Sequence, residues 1–360
     1  MKRVFVSDCE GPISKNDNAY EIVAHFVPDG DKVFSIISKY DDVLADSLKR
    51  QGYNAGDTLK LVLPFLLAYD VTDRQMRQFS AQTLVLIAGT KDTLRQVLGT
   101  AKAFIISTSY EHYIHAFCDV TSFPFENTYC TRIIIDKYSV TAEERAKLKK
   151  TAKEIAAMPM ITMPPNAMSI SDFSSKDRQT IDRLNEIFWR EISTMSCGKI
   201  YSEIMPVGGT QKAQAIQDIT KKLELPLSSV MYVGDSITDV EAFQLVRENG
   251  GLAVSFNGNK YAVKNAEVSI LSENNLAAAV VFDAFLKHNK DGALQIAANW
   301  SRQTLEKDIV DKTLLKHFFA AYPNALPKVQ IVTAKNMESL SGESSEFRKK
   351  VRGETVGKLG

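Results

Sequence analysis

Five short apolar runs recur along the chain, and helical patterns separate them. The runs are residues 3–7, 102–108, 131–138, 229–235 and 250–256. Each is mostly apolar and rich in β-branched residues, which is typical of strands that are buried on both faces. Strands of this kind that are joined by helices form parallel sheets with crossover helices. The sequence therefore predicts an α/β protein with a parallel sheet at its centre.

Two stretches between these runs are too long to be simple crossovers. A parallel crossover needs only about a dozen residues, whereas residues 14–101 carry several helical patterns and almost no strand signal. We expect a helical domain inserted in the sheet there. We expect a second helical insertion at residues 141–196, where Thr141 to Glu144 fits a capping box at the start of a helix.

The remaining segments complete the predicted domain division. Residues 1–13, 102–140 and 197–290 carry the strand-like runs and are expected to form the core. Residues 291–360 are expected to hold one more helix and a tail. The last stretch of that segment is polar and Gly-rich, so we expect the tail to be mobile.

Composition and charge exclude several classes of protein. The chain has 44 Lys and Arg against 43 Asp and Glu among its 360 residues, so no net basic field draws it to nucleic acid or to anionic membranes. No apolar stretch reaches the roughly 20 residues that span a bilayer. The four cysteines form no Cys-x-x-Cys pair, which argues against a zinc knuckle or a disulfide framework. We therefore expect a cytoplasmic protein that binds no nucleic acid and does not insert into membranes.

Acidic residues follow two of the predicted strands. Asp8 and Glu10 end the first strand two residues apart, and so point to the same face of an extended segment. Asp235 ends the fourth strand, and Asp239 follows four residues later. Ligand sites in open α/β sheets lie beyond the carboxyl ends of the strands. Four carboxylates gathered there would repel one another without a cation, and hard oxygen ligands of this kind suit Mg²⁺.

Hydroxyl groups and a lysine occur where an anion would lie beside that cation. Ser107 and Thr108 end the second strand, at an expected helix N-terminus that favours phosphate. Lys212 lies near the start of a helix that Thr210 is expected to cap. Taken alone, the hydroxyls are typical of a helix cap and the lysine of a solvated helix face. The order of all these features along the chain favours a functional site.

That order resembles the haloacid dehalogenase superfamily. Four stretches carry the resemblance, "DCEG", "IISTS", "GTQK" and "GDSITD". The similarity is closest to phosphoserine phosphatase-like members, because a helical segment follows the first motif and "GGLAVSFNGNKYAVKNAEVSI" follows the fourth. The "DCEGP" opening also resembles archaeal energy-converting hydrogenase A subunit R-type proteins. The resemblance implies a Rossmann-like parallel sheet with helices on both faces and an inserted helical cap at residues 14–101.

The same resemblance implies a Mg²⁺-dependent phosphatase that acts on a small phosphorylated metabolite. Asp8 would be the nucleophile that forms an aspartyl-phosphate, and Glu10 would be the general acid and base. Position 10 usually carries Asp in this superfamily, but enolase-phosphatases also carry Glu there, so the change is compatible with activity. Pro12 replaces the usual Thr after the glycine of the motif.

The resemblance also implies two sets of site residues, and the helical spacing after the first motif adds two candidates in the cap. The metal ligands would be Asp8, Glu10 through its backbone carbonyl, Asp235 and Asp239. The phosphate-binding residues would be Ser107, Thr108 and Lys212. Two residues of the cap, Tyr20 and Glu21, either contact the substrate or belong to a half-buried helix face.

Two alternative functions fit the same sequence. A phosphotransferase would form the same intermediate and pass the phosphoryl group to an alcohol instead of water. A non-catalytic subunit or scaffold of a larger complex would use the fold to bind a protein partner, through residues 141–196 or through the tail. A scaffold has no physical need for four clustered carboxylates, which favours an enzyme.

Overall fold

A seven-stranded sheet forms the centre of the computed structural model, which describes residues 2–308 and 311–358. The strand order is β3-β2-β1-β4-β5-β6-β7; the last strand pairs antiparallel with β6, and the other neighbours pair parallel. The strands are β1 (Val4–Ser7), β2 (Lys102–Tyr110), β3 (Thr128–Thr131), β4 (Val230–Gly234), β5 (Leu252–Phe256), β6 (Val268–Leu271) and β7 (Lys328–Ile331). The predicted α/β class with a largely parallel sheet is confirmed.

Helices surround this sheet and form a separate layer above its carboxyl edge. Those that precede β4 are α1 (Asn18–Phe26), α2 (Gly30–Asp42), α3 (Thr58–Ala68), α4 (Asp73–Thr83), α5 (Thr90–Thr100), α6 (Glu111–Thr121), α7 (Ala142–Ala156), α8 (Ser175–Glu186), α9 (Ile200–Glu203) and α10 (Thr210–Leu223). Those that follow β4 are α11 (Val240–Glu248), α12 (Lys260–Asn265), α13 (Leu276–Ala298), α14 (Arg302–Asp308), α15 (Lys312–Ala321) and α16 (Met337–Arg352). Among the described residues, none of the helices combines the length and the hydrophobicity that crossing a bilayer requires.

The third predicted strand is wrong in its position. The strand lies at Thr128–Thr131, and the apolar residues that follow it leave the sheet. Two side-chain carboxylates accept the backbone N–H groups there, Glu111 from Ile133 at 2.9 Å and Asp73 from Ile135 at 3.0 Å. Both isoleucines are buried in the helical layer instead of the sheet. These apolar residues therefore mark packing in that layer and not a strand.

The two predicted helical insertions pack into one helical body. Residues of α1 to α4 and of the segment 142–204 share a single buried apolar cluster. The hydroxyl of Tyr40 on α2 donates to the Asn185 amide oxygen at 2.7 Å and accepts from the Trp189 indole at 2.9 Å. We call this body the cap. It ends before α5, whose Leu94 and Val97 pack with the sheet, so the predicted boundary at residue 101 is too late.

The C-terminal segment is ordered where a mobile tail was predicted. Helix α16 buries Leu340, Ser344 and Arg348, which recur every fourth residue and so share one face. Leu340 packs with Val263 and Leu271 of the core. The polar composition of the segment therefore reflects a helix with one narrow buried face, and the expectation of mobility, which began at residue 341, is wrong for residues 341–352.

Candidate active site

Two neighbouring strands bring the predicted acids to one sheet edge. Strands β1 and β4 pair parallel with Ser7 opposite Val233, so the residues that follow them emerge side by side. The Asp8 N–H donates to the Val233 carbonyl at 2.8 Å. Carboxylate oxygens of Asp8, Asp235 and Asp239 all lie within 4.8 Å of one another, and the three residues are buried. The fourth predicted carboxylate, that of Glu10, is oriented towards the cap.

Asp239 is the best-bonded acid of this cluster. One oxygen accepts from the Lys212 ammonium at 2.7 Å and from the Tyr232 hydroxyl at 2.6 Å. The other accepts from the N–H groups of Asp235 and Ser236, both at 2.9 Å. With these four donors and the Ser236 hydroxyl at 3.4 Å around it, Asp239 fixes the loop that carries Asp235. Tyr232 has no counterpart in the sequence analysis, since a tyrosine inside an apolar strand is typical of a packed core residue.

Lys212 lies between two carboxylates. Its ammonium donates to Asp8 at 2.6 Å and to Asp239 at 2.7 Å, and the side chain is fully buried. Burial lowers the pKa of Lys212, but the two carboxylates raise it by more, so that the pKa lies above its ordinary value. Helix α10 places the lysine in its first turn, and the residue at the N-cap position is Gly209 instead of the predicted Thr210.

Asp8 and Glu10 differ in their surroundings. Asp8 accepts the Cys9 N–H at 2.6 Å in addition to the Lys212 bond. Glu10 accepts the N–H of Asn18, the first residue of α1, at 2.6 Å. Burial raises the pKa of Asp8 to about 6. It raises the pKa of Glu10 to about 8, and the nearby Asp17 adds to that shift.

Gly11 makes room for the acid of the fourth motif. Its φ of +105° lies in a region that residues with a Cβ rarely adopt. A Cβ at this position would lie 2.0 Å from Oδ2 of Asp235, far inside van der Waals contact. The glycine of "DCEG" is therefore required by both the backbone and the neighbouring carboxylate.

A cavity of about 100 Å³ separates the sheet edge from the cap. Its polar and charged walls are formed by Asp8, Glu10, Asp17, Ser38, Asp41, Asp42, Thr58, Thr108, Ser109, Asp235, Ser236, Thr238, Arg348 and Arg352. Of the predicted site residues, the structure thus brings Asp8, Glu10, Thr108 and Asp235 to the cavity.

Other predicted site residues lie away from the cavity wall. Ser107 is fully buried, and its hydroxyl oxygen accepts the Ser109 N–H at 3.2 Å. Lys212 is not part of the cavity wall, and its ammonium contacts the carboxylates of Asp8 and Asp239. The Tyr20 ring packs against Phe34 with ring centres 5.6 Å apart. The Glu21 carboxylate accepts from the Asn16 amide at 2.9 Å.

Three carboxylates on the cap side of the cavity were not predicted from the sequence. Asp17 accepts the Tyr20 N–H at 3.0 Å as the N-cap of α1, and Asp42 pairs with Lys39 at 2.7 Å. Asp41 accepts the Gly56 N–H at 2.8 Å, and the buried Tyr53 hydroxyl also interacts with its carboxylate. Burial raises the pKa of Asp41 to about 7. In sequence these residues are indistinguishable from ordinary helix caps and surface acids.

Two arginines of α16 were also not predicted from the sequence as site residues. The guanidinium groups of Arg348 and Arg352 both contact Oδ2 of Asp235, the second at 3.1 Å. They come from the segment that was predicted to be mobile, so no sequence signal pointed to them.

The carboxylate cluster has the donor chemistry of a cation site. Asp8, Asp235 and Asp239 supply hard, buried oxygens at the carboxyl ends of two adjacent strands, and Gly11 leaves the space that Asp235 occupies. Such oxygens fit a hard divalent cation.

Residues 94–282, just over half of the chain, match the haloacid dehalogenase-like hydrolase family. The chain belongs to this family. The predicted superfamily, and with it the expectation of a hydrolase, is confirmed. No curated protein sequence matches the chain.

Among solved structures, the chain is similar to gene product AF1437 from Archaeoglobus fulgidus, at 25% identity and a TM-score of 0.81. That match covers 100% of this chain and 99% of the other, so the fold is shared over its whole length. A phosphoserine phosphatase described as a phospho-aspartyl intermediate analogue matches at 10% identity and a TM-score of 0.44, over 76% of this chain and 95% of that one. A HAD family hydrolase, t0658 from Salmonella enterica, matches at 9% identity and a TM-score of 0.44, over 72% of this chain and 64% of that one.

Proposed function

We propose that this protein is a cytoplasmic, Mg²⁺-dependent phosphatase that hydrolyses a small phosphomonoester through an aspartyl-phosphate on Asp8. The observation that carries the proposal is the meeting of Asp8, Asp235 and Asp239 within 4.8 Å at one sheet edge, in a chain of the haloacid dehalogenase-like hydrolase family. The cavity beside these carboxylates is the place for the substrate.

The reaction proceeds in two steps. In the first, an oxygen of Asp8 attacks phosphorus, the bond between phosphorus and the leaving oxygen breaks, and Glu10 gives its proton to that oxygen. In the second, water attacks the phosphorus of the aspartyl-phosphate, Glu10 takes a proton from the water, and the bond between phosphorus and the Asp8 oxygen breaks, which releases inorganic phosphate and restores the Asp8 carboxylate. The bond from the Asn18 N–H, at 2.6 Å, holds the Glu10 carboxyl at the cap side of the cavity.

Asp8 and Asp235 would hold the Mg²⁺, together with the backbone carbonyl of Glu10. Bound Mg²⁺ reduces the repulsion between the nucleophile and the negatively charged phosphate. Asp239 orients this set by accepting the Asp235 N–H and the Lys212 ammonium. Lys212 in turn keeps the Asp8 oxygen in place at 2.6 Å.

The size of the cavity bears on the substrate. A volume of about 100 Å³ is below the roughly 300–1,000 Å³ that is usual for ligand pockets. We infer that the substrate is small and that the cap opens to admit it. Thr108 and Ser109 line the cavity, and the Ser109 hydroxyl is a candidate donor to phosphoryl oxygens, whereas the Thr108 hydroxyl donates to the Val207 carbonyl at 3.0 Å.

The proposal is tested with a broad panel of phosphate esters, including an aryl phosphate, assayed for phosphate release with Mg²⁺ and with a chelator. We expect release that depends on Mg²⁺ and falls to background in Asp8→Asn, which keeps the side-chain shape but removes the nucleophile. Asp119→Asn is the matched control, because this aspartate is exposed on α6 and its variant should retain full activity.

The alternative functions give different results in the same assay. Transfer of the phosphoryl group to added alcohols, in place of phosphate release, would favour a phosphotransferase. Absence of turnover on the whole panel, together with absence of Mg²⁺ binding, would contradict the proposal and favour a scaffold.

A further inference from the structure

Helix α16 carries two arginines into the proposed active site. Arg348 and Arg352 are four residues apart and so lie on one helix face. Each side chain is only 4% exposed, although α16 begins more than 50 residues after the end of the family match at residue 282. Burying a guanidinium is costly unless charged or polar groups surround it, so its partners indicate its role.

Both guanidinium groups share one oxygen of Asp235. Arg348 contacts Oδ2 of Asp235 and also donates to the Asp235 carbonyl at 3.2 Å. Arg352 donates to the same Oδ2 at 3.1 Å, to the Lys15 carbonyl at 3.0 Å and to the Asn16 carbonyl. The arginines therefore connect a proposed metal ligand with the loop that leads into the cap.

Contacts in the preceding turns of α16 fix the position of these arginines. Leu340 packs against Val263 and Leu271. One turn later the Ser344 hydroxyl donates to the Gly258 carbonyl at 2.6 Å. The helix is thus held to the core at two points on the face that presents Arg348.

Among the described residues that line the cavity, Arg348 and Arg352 are the ones with positively charged side chains. Six carboxyl groups line the same cavity, those of Asp8, Glu10, Asp17, Asp41, Asp42 and Asp235. Lys212, which the sequence predicted to bind phosphate, is fully buried and bonded to two carboxylates. A phosphate group that entered this cavity would therefore find its positive charge on α16.

We propose that Arg348 and Arg352 bind the phosphoryl oxygens of the substrate. A cation on Asp235 would compete with both guanidiniums for Oδ2, and the displaced guanidiniums would then face the phosphoryl group beside it. Arginine suits this role because its planar donors match the oxygens of a phosphate. This inference rests on the proposed function, since it names the residues that hold the phosphate in that reaction.

The proposal predicts opposite effects on two ligands. Arg348→Met removes one of the two guanidinium groups on Oδ2 of Asp235, and with it a positive charge, so Mg²⁺ alone should bind several-fold more tightly. The same change removes charged hydrogen bonds to the oxyanion, so inorganic phosphate should bind about 10- to 100-fold more weakly in saturating Mg²⁺. A purely structural role for Arg348 would weaken both ligands together.

The experiment is titration calorimetry on the full chain, first with Mg²⁺ alone and then with inorganic phosphate in saturating Mg²⁺. Lys350→Met is the matched control, because this lysine lies on the same helix and is 67% exposed in a pair with Glu273. It removes the same charge outside the cavity and should change neither affinity. Arg348→Lys, which keeps the charge, should retain part of the phosphate affinity.

Circular dichroism establishes that each variant is folded, and Arg352→Met carries the same prediction should Arg348→Met not fold. Unchanged phosphate binding in the folded arginine variants, or weaker binding of both ligands, would overturn the inference while leaving the proposed function intact. Absence of Mg²⁺ and phosphate binding in the unsubstituted protein would overturn the proposed function and the inference together.

Discussion

Substitution of Gly11 by Ala tests the geometry of the site without removing a charge. The φ of +105° makes a Cβ cost about 1–3 kcal/mol in backbone strain. The new methyl would also lie 2.0 Å from Oδ2 of Asp235, so the carboxylate must move by roughly 1 Å or more, at a further cost of about 1–3 kcal/mol. We expect Gly11→Ala to lower the free energy of unfolding by about 2–6 kcal/mol.

Gly52→Ala is the matched control for this substitution. Gly52 has a φ of +74°, and a Cβ there would meet nothing within 4 Å, so the variant should show backbone strain of about 1–2 kcal/mol alone. Urea unfolding measures the two costs, and calorimetry measures Mg²⁺ binding. Displacement of Asp235 should weaken Mg²⁺ binding by at least about tenfold in Gly11→Ala, with no change in Gly52→Ala. Equal stabilities and equal Mg²⁺ affinities in the two variants would refute this account of the glycine.

Two further predictions concern buried charges. Burial raises the pKa of Asp41 from about 3.9 in the unfolded chain to about 7 in the folded protein, so folding favours the protonated carboxyl. With respect to this group, the native state is therefore most stable below pH 4 and loses that stability as the pH rises to 7. Relative to Asp41→Asn, the native chain should lose up to about 4 kcal/mol of stability over that interval in urea unfolding; a stability difference between the two that does not change with pH would contradict this. Lys212→Met leaves two buried carboxylates without their cation and should cost about 3–5 kcal/mol, while Lys222→Met on the same helix should leave the stability nearly unchanged; equal unfolding midpoints would contradict this.

The strands that position the site could be predicted because their apolar runs are continuous. The runs at 3–7 and 229–235 correspond to β1 and β4, whose adjacency brings Asp8 and Asp235 together. The strand predicted at 131–138 is wrong because hydrophobicity indicates that a residue is buried, but not whether the sheet or the cap buries it. Ile133 and Ile135 are buried by the cap, and a single sequence does not distinguish that from burial in a sheet.

The candidate site could be predicted only where short motifs mark it. Asp8, Asp235, Asp239 and Lys212 meet as their spacing along two strands and one helix suggested. Arg348 could not be found in this way, because it is more than 100 residues from Asp235 in sequence and its segment is polar. The contact between Arg348 and Asp235 depends on the narrow buried face of α16, and that face is apparent only in the folded structure, where α16 packs on the core.

The proposed mechanism requires that the Asp8 carboxylate becomes phosphorylated during turnover. Mass spectrometry of acid-quenched reactions tests it most directly, by locating a phosphoryl group on the peptide that contains Asp8. We expect that modification with substrate and Mg²⁺, and its absence in Asp8→Asn. Phosphate release that continues with a phosphoryl group on another residue, or with none on the enzyme, would show that Asp8 is not the nucleophile.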